Sequence, residues 1–349
     1  MSRTQRGVLL TALVAVAATI ASATQAGTSA TPAGYTGLEG KAAAAYPKPR
    51  LQSGFKCTIG YQNPLAANES LQYMQKAAVA QAKALKCRLI LLDDALDVDK
   101  QVSNMQQLLA QKVNAIVFYP LDPKATTPVL AQAKKQGVPV VAIDSNFGNP
   151  KLPVTPGIVA QVWQGRDIQA FLQVQALTKV KKGAKVGLIG IGAPVPALKY
   201  LNARERAYAK RAGHTVVGTQ DNPTDDVTGG EKAGNALIQR YSDMDAVIAY
   251  NDPSAVGAVI AARAAGKRLT VIGLNGTSDG IAAVKDGRLA ATVQNDSPGI
   301  GRETVKAAYL WATKQHKGIP RVVVLPPRIV TKANVNSIPS WDQAIKNIK

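Results

Sequence analysis

Short runs of apolar and β-branched residues alternate along this chain with longer stretches in which apolar residues return every third or fourth position. Residues 115–119, 138–143, 185–190, 246–250 and 270–274 are of the first kind and predict strands. Between such runs, Leu71, Met74, Ala78, Ala82 and Leu85 share one face at helical spacing. Strict alternation from Phe55 onward predicts an α/β fold whose parallel sheets are covered by helices on both faces.

The pattern is written twice. Asn-Ala-Ile-Val-Phe-Tyr-Pro-Leu-Asp-Pro from Asn114 runs through a helical stretch to Gly137 and the strand 138–143; Asp-Ala-Val-Ile-Ala-Tyr-Asn-Asp-Pro from Asp245 runs to Gly266 and the strand 269–274. In each copy an Asp-Pro pair, Asp122-Pro123 or Asp252-Pro253, suits a helix N-cap followed by its first residue, and Gly137 or Gly266 suits the helix end. Each second strand ends on a polar residue, Asp144 or Asn275. Two Rossmann-like lobes of one design follow. Ligands of open parallel sheets sit beyond the carboxyl ends of the strands, so facing lobes would set Tyr119, Asp144 and Ser145 across a cleft from Tyr250, Asn251 and Asn275.

Composition narrows the chemistry. The chain has 349 residues, only two Cys and two His, which leaves little for Cys-rich zinc sites or His relays. Residues 1–26 carry Arg3 and Arg6, a nearly unbroken apolar stretch from Val8 to Ile20 and small residues suited to cleavage, the pattern of an export signal. No Cys follows it, so lipidation on cysteine is not expected, and the separated arginines do not make a twin-arginine signal. Residues 27–54, rich in Ala, Gly, Thr and Pro, read as a flexible tether. Export places Cys57 and Cys87, each opening an apolar run, in an oxidising compartment. If those runs are neighbouring parallel strands, the two are side by side and form a disulfide; two buried free thiols are the alternative.

The net charge is +20, or +18 without Arg3 and Arg6. Nine Lys and Arg lie between Lys179 and Arg211 against the single acid Glu205. Nucleic-acid binding would add interleaved aromatics or a recognition module and an intracellular address, so a solvated basic exterior is the expectation. Other motifs weigh little. Gly276-Thr-Ser278-Asp-Gly280 matches the hydrolase elbow, yet only His316 follows it as a partner. Gly187, Gly190 and Gly192 lack the last glycine of a dinucleotide loop. Asp93, Asp94, Asp97 and Asp99 read as loop solvation and capping of a helix around residues 101–112 rather than as a metal site, and His214 as a strand-end residue. No catalytic set, cofactor or metal is expected.

These segments together resemble the periplasmic sugar-binding proteins of ABC importers, ribose-binding type, which share their fold with the effector domains of LacI-type repressors. The resemblance runs from about Cys57 to Val330 and rests on Ala115-Ile-Val-Phe-Tyr-Pro-Leu-Asp-Pro with Gly137-Val-Pro-Val-Val-Ala-Ile-Asp144, Asn251-Asp-Pro-Ser-Ala-Val-Gly-Ala258, and Val271-Ile-Gly-Leu-Asn-Gly-Thr277 with Gly287-Arg-Leu-Ala-Ala-Thr-Val293.

It implies two lobes on a three-strand hinge: 55–158 with 296–324, 159–295 with 325–335, and a tail over 336–349. It also implies ligand contacts from Asn68, Asp144, Asn251, Asn275 and Asn295. The sequence departs from the pentose binders where Ser70 and Leu71 replace a Phe pair, Tyr119 an Asn, and Ser145 an Arg. Lys199 is the nearest candidate for a cation from the second lobe, and Tyr119 and Trp163 for a stacking surface. The implied function is that of an exported, monomeric solute receptor for a sugar or similar polyhydroxylated molecule, delivering it to a membrane permease without contacting nucleic acid. The alternative is a ligand sensor for a membrane kinase or chemoreceptor. A repressor is disfavoured because an export signal stands where a DNA-binding headpiece would.

Overall fold

A computed structural model describes residues 31–348; the export segment lies outside the described residues. The first lobe is built from β1 (Cys57–Asn63), α1 (Glu69–Ala84), β2 (Cys87–Asp93), α2 (Val98–Ala110), β3 (Ala115–Phe118), α3 (Pro123–Lys135), β4 (Val140–Ile143) and β5 (Ile158–Trp163). The chain then crosses over. The second lobe contains α4 (Arg166–Val180), β6 (Lys185–Ile191), α5 (Pro196–Arg211), β7 (Thr215–Asn222), α6 (Val227–Arg240), β8 (Ala246–Ala249), α7 (Asp252–Ala264), β9 (Thr270–Asn275), α8 (Ser278–Lys285) and β10 (Ala291–Gln294). α9 (Ser297–Ala312) and β11 (Val322–Val324) return to the first lobe, β12 (Arg328–Val330) joins the second, and α10 (Trp341–Lys346) packs back on α1 and α9.

The two sheets have orders β2-β1-β3-β4-β5-β11 and β7-β6-β8-β9-β10-β12, the same pattern twice; every pairing is parallel except that of β10 with β12. The repeated segments occupy matching places, β3-α3-β4 in one sheet and β8-α7-β9 in the other. Central strands such as β3, β4 and β8 are buried along their whole length, as uninterrupted runs of Val, Ile, Ala and Phe covered on both faces should be. β1 and β2 pair with Cys57 opposite Cys87, and the two form a disulfide.

Three expected boundaries move. β5 hydrogen-bonds to β4 and β11, so 158–163 belongs to the first lobe and the first crossover is at Gln164-Gly165. The repeat slips by one residue at the second helix. Asp122 caps α3 as expected, but α7 is capped by Asn251, whose side chain accepts from Ser254 N–H, and Asp252 turns inward to the Thr277 and Thr292 hydroxyls. Residues 31–54 are not a free tether. Tyr35 and Glu39 dock on α4, while Tyr46 docks on the first lobe through Glu303 and the Gln161 carbonyl. At the other end the tail is an ordered helix whose Trp341 donates to the Asn295 carbonyl.

Candidate functional site

Between the carboxyl ends of the two sheets lies a narrow cleft with a cavity volume of about 70 Å³, in the place where ligands of open parallel sheets bind. The first lobe contributes the segments after β1, β2 and β3, and the second lobe those after β6, β7, β8 and β9, with Gln164 and Arg166 coming from the first crossover.

Two of its polar residues owe their aim to helix capping. Asn68 starts α1 and Asn251 starts α7; each side-chain oxygen accepts a first-turn N–H, which turns the amide –NH2 outward. Both amides meet Asp225: Asn68 Nδ2 donates to Oδ2 at 2.9 Å from the first lobe, and Asn251 Nδ2 to Oδ1 at 2.7 Å from the second. Tyr250 Oη donates to the same Oδ1 at 2.6 Å. Asp225 therefore joins the lobes through neutral donors, and burial raises its carboxyl pKa. Ser278 on Glu69 and the Phe147–Tyr200 ring pair, 4.4 Å between centroids, close the cleft at other points.

At the hinge end Arg166 is buried. Its Nε pairs with Asp144 at 2.9 Å, Nη1 donates to Gln169, and Nη2 donates to Tyr119 Oη at 2.8 Å. Three of the five guanidinium N–H groups are thus used, which leaves two for the cleft that Arg166 lines. Burial pushes the Tyr119 hydroxyl up to about 12, so at neutral pH it stays protonated and can donate its own hydrogen. Asn275 accepts from Asn295 at 2.8 Å and keeps its amide donors for the cleft. These groups are preorganised donors with few acceptors, suited to orienting hydroxyl groups.

Of the expected site residues, Asn68, Tyr119, Asn251 and Asn275 line the cleft. Four others do not. Asp144 is spent on Arg166 and on the Gln164 main chain and amide. Ser145 faces Thr155 and Gln161. Asn295 is one layer back, held by Gln164, Gln169 and Asn275. Lys199 reaches away from the cleft to the Ile191 carbonyl and to Asp221, with about half of its side chain exposed. Trp163 is likewise buried behind the site, donating to Gln161, so it offers no stacking face.

Arg166 and Asp225 were missed. Each does carry a signal: Arg166 follows Gly165 at the end of a strand, and Asp225 precedes the N-cap Asp226 just beyond β7. Position after a strand's carboxyl end was the mark they shared with the residues that were found. Elsewhere Asp97 caps α2, as expected of the acidic run, and Thr277 caps α8, which makes Gly276 to Gly280 an ordinary helix start.

Comparison with known proteins agrees with this geometry. The family described as periplasmic binding protein domain matches residues 59–316. The chain belongs to this family. Among other periplasmic binding proteins, the ribose import binding protein of Bacillus subtilis is 32% identical over 254 residues, covering 72% of this chain and 80% of that protein. The putative rhizopine-binding protein of Rhizobium meliloti is 31% identical over 268 residues, covering 73% of this chain and 83% of that one. An ABC transporter solute-binding protein from Bacillus halodurans with bound myo-inositol superposes with a TM-score of 0.72 at 23% identity, over 82% of this chain and 98% of that one. These relatives are binding proteins, not enzymes. Among the described residues no helix is long and apolar enough to cross a membrane.

Proposed function

We propose that this periplasmic binding protein is an exported receptor that closes over a sugar or similar small polyhydroxylated molecule and presents the closed form to the permease of an ABC importer. The observation that carries the reading is the convergence of Asn68 from one lobe and Tyr250 and Asn251 from the other on Asp225, in a cleft that Arg166, Tyr119 and Asn275 also line. A ligand that touches both lobes binds the closed state better than the open one, and that difference is the switch. The names of the relatives, a ribose import protein and a xylitol-binding protein among them, support the ligand class.

The test is a thermal-shift screen of sugars and polyols on the mature chain, followed by calorimetry on each hit. Asn251→Ser keeps a capping oxygen for α7 and removes the amide. It is expected to weaken binding of the hit at least about ten-fold, the scale of one hydrogen bond in a buried site, while shifting the melting temperature of the unliganded protein little. Unchanged affinity would overturn the site assignment.

A further inference from the structure

The polar groups of the cleft do not surround it. They gather around Asp225 and around Arg166, whereas the corner where β6 meets α5 is apolar: Ile191, Val195 and Leu198 line the cleft there without a polar side chain among them. All three are buried in the closed protein. The corner is unlike its neighbours in one specific way. α1, α6 and α7 each start with a residue whose side chain caps the helix, Asn68, Asp226 and Asn251, whereas α5 starts with Val195, which offers no side-chain acceptor, followed by Pro196. An isopropyl group stands where α1, α6 and α7 carry an amide or a carboxylate. Leu65, Leu96 and Leu121 of the first lobe add further aliphatic surface to the lining.

A hydroxyl directed at this corner would lose water and gain no partner, whereas a methyl or methylene there buries apolar surface against three aliphatic side chains. We propose that the ligand has an apolar end, a deoxy or O-methyl position, which lodges against Ile191, Val195 and Leu198 while its hydroxyls take the groups around Asp225 and Arg166. The expected class is a deoxy sugar or an O-methylated polyol. This inference rests on the sugar-or-polyol reading above and narrows it.

Matched pairs test it: D-galactose against D-fucose, L-mannose against L-rhamnose, and myo-inositol against its mono-O-methyl ether, each titrated into the mature chain by calorimetry. The deoxy or methylated member should bind at least about ten-fold more tightly in the pair that fits best, the lower end of what a buried methyl group discriminates. Leu198→Asn should shrink or reverse that ratio, and Leu198→Met should keep it. Should Leu198→Asn fail to fold, Val195→Thr places a hydroxyl in the same volume and should move the ratio in the same direction. If the parent compounds bind and their partners bind equally or more weakly, or if neither polar variant moves the ratio, the apolar-end inference fails and the receptor reading stands. If the screen above yields a sugar or polyol ligand but no member of any pair binds, the apolar-end inference fails alone; if no sugar or polyol binds at all, the sugar-or-polyol reading fails and the inference with it.

Discussion

Asp144 and Asn275 end matching strands, β4 and β9, and both have positive φ, 48° and 101°. Asp225 does too, at 59°. Residues other than Gly seldom hold this conformation, and Asp and Asn bear it best, so three polar residues at strand ends or in the loops beyond them fit the strain that gathers at functional sites. That these positions are polar was legible from the pattern alone. Which of them faces the ligand was not, because Asp144 is claimed by Gln164 and Arg166 across a chain crossover that no local spacing reveals. The structure gives Asp144 a different task from ligand contact: it neutralises Arg166. Asp144→Ala should therefore cost stability, about 3–5 kcal/mol by chemical denaturation, since it leaves a buried guanidinium without its counter-ion. Asp144→Asn fills the same volume and keeps one accepting oxygen, so it should cost less than Ala, although its –NH2 replaces an oxygen that accepts in the parent. A purely ligand-contacting Asp144 would instead show lost affinity at unchanged stability.

At the level of elements, the repeat told most of the fold, because β3-α3-β4 and β8-α7-β9 announce themselves by composition. The misplaced strand, 158–163, shows where such reading stops. Its own residues say that it is a strand, but its sheet is decided by pairing with β4 and with β11, and β11 lies over 150 positions further on. Helix contacts were equally invisible. α6 and α7 approach so closely that a Cβ on Gly257 would run into the backbone of Val227 and Glu231, and one on Gly230 would meet the Ser254 Cα at 2.5 Å. α7 presents Asn251 and α6 follows directly on Asp225-Asp226, so this contact sets the spacing between two cleft residues. Gly257→Ala would gain roughly 1 kcal/mol of helix propensity on an isolated helix. Here the collision with backbone decides the sign: the variant should lose stability and ligand affinity together, whereas Ala at the exposed, right-handed C-cap position Gln136 should change neither. A gain in melting temperature for Gly257→Ala would show that the helices have room to spare.

For the whole molecule, the segment before the first strand adds a further link between the two lobes. Three crossovers, at 163–166, 294–297 and 324–328, form the hinge, and residues 31–46 add a strap across it. Tyr35 donates to Asp167 and packs on Phe171, and Glu39 Oε2 accepts from the Asp167 and Ile168 N–H groups, all on α4 of the second lobe; Ala43 and Tyr46 hold the first lobe through Val324, Glu303 and Gln161. Its composition suggested a tether because the anchors are single residues several positions apart, too sparse to form a period. The hold of the strap should depend on pH. Burial above all, with Asp167 and Asp144 adding to it against the pull of the α4 N–H groups, pushes Glu39 up to about 8 from 4.5. A carboxyl whose folded-state pKa is raised contributes its full stabilisation below the unfolded value and loses it as pH climbs through the folded one. A chain beginning at Ala42 should therefore melt below one beginning at Gly27, on the order of 5 °C for an anchor worth about 2 kcal/mol. The gap should be wider at pH 5 than at pH 8, and Glu39→Gln should make it independent of pH. The shortened chain should also open more readily, seen as a larger radius of gyration without ligand in small-angle scattering. Equal gaps at the two pH values would mean that Glu39 holds the strap in one protonation state throughout, and an unchanged radius would mean that the hinge alone governs closure.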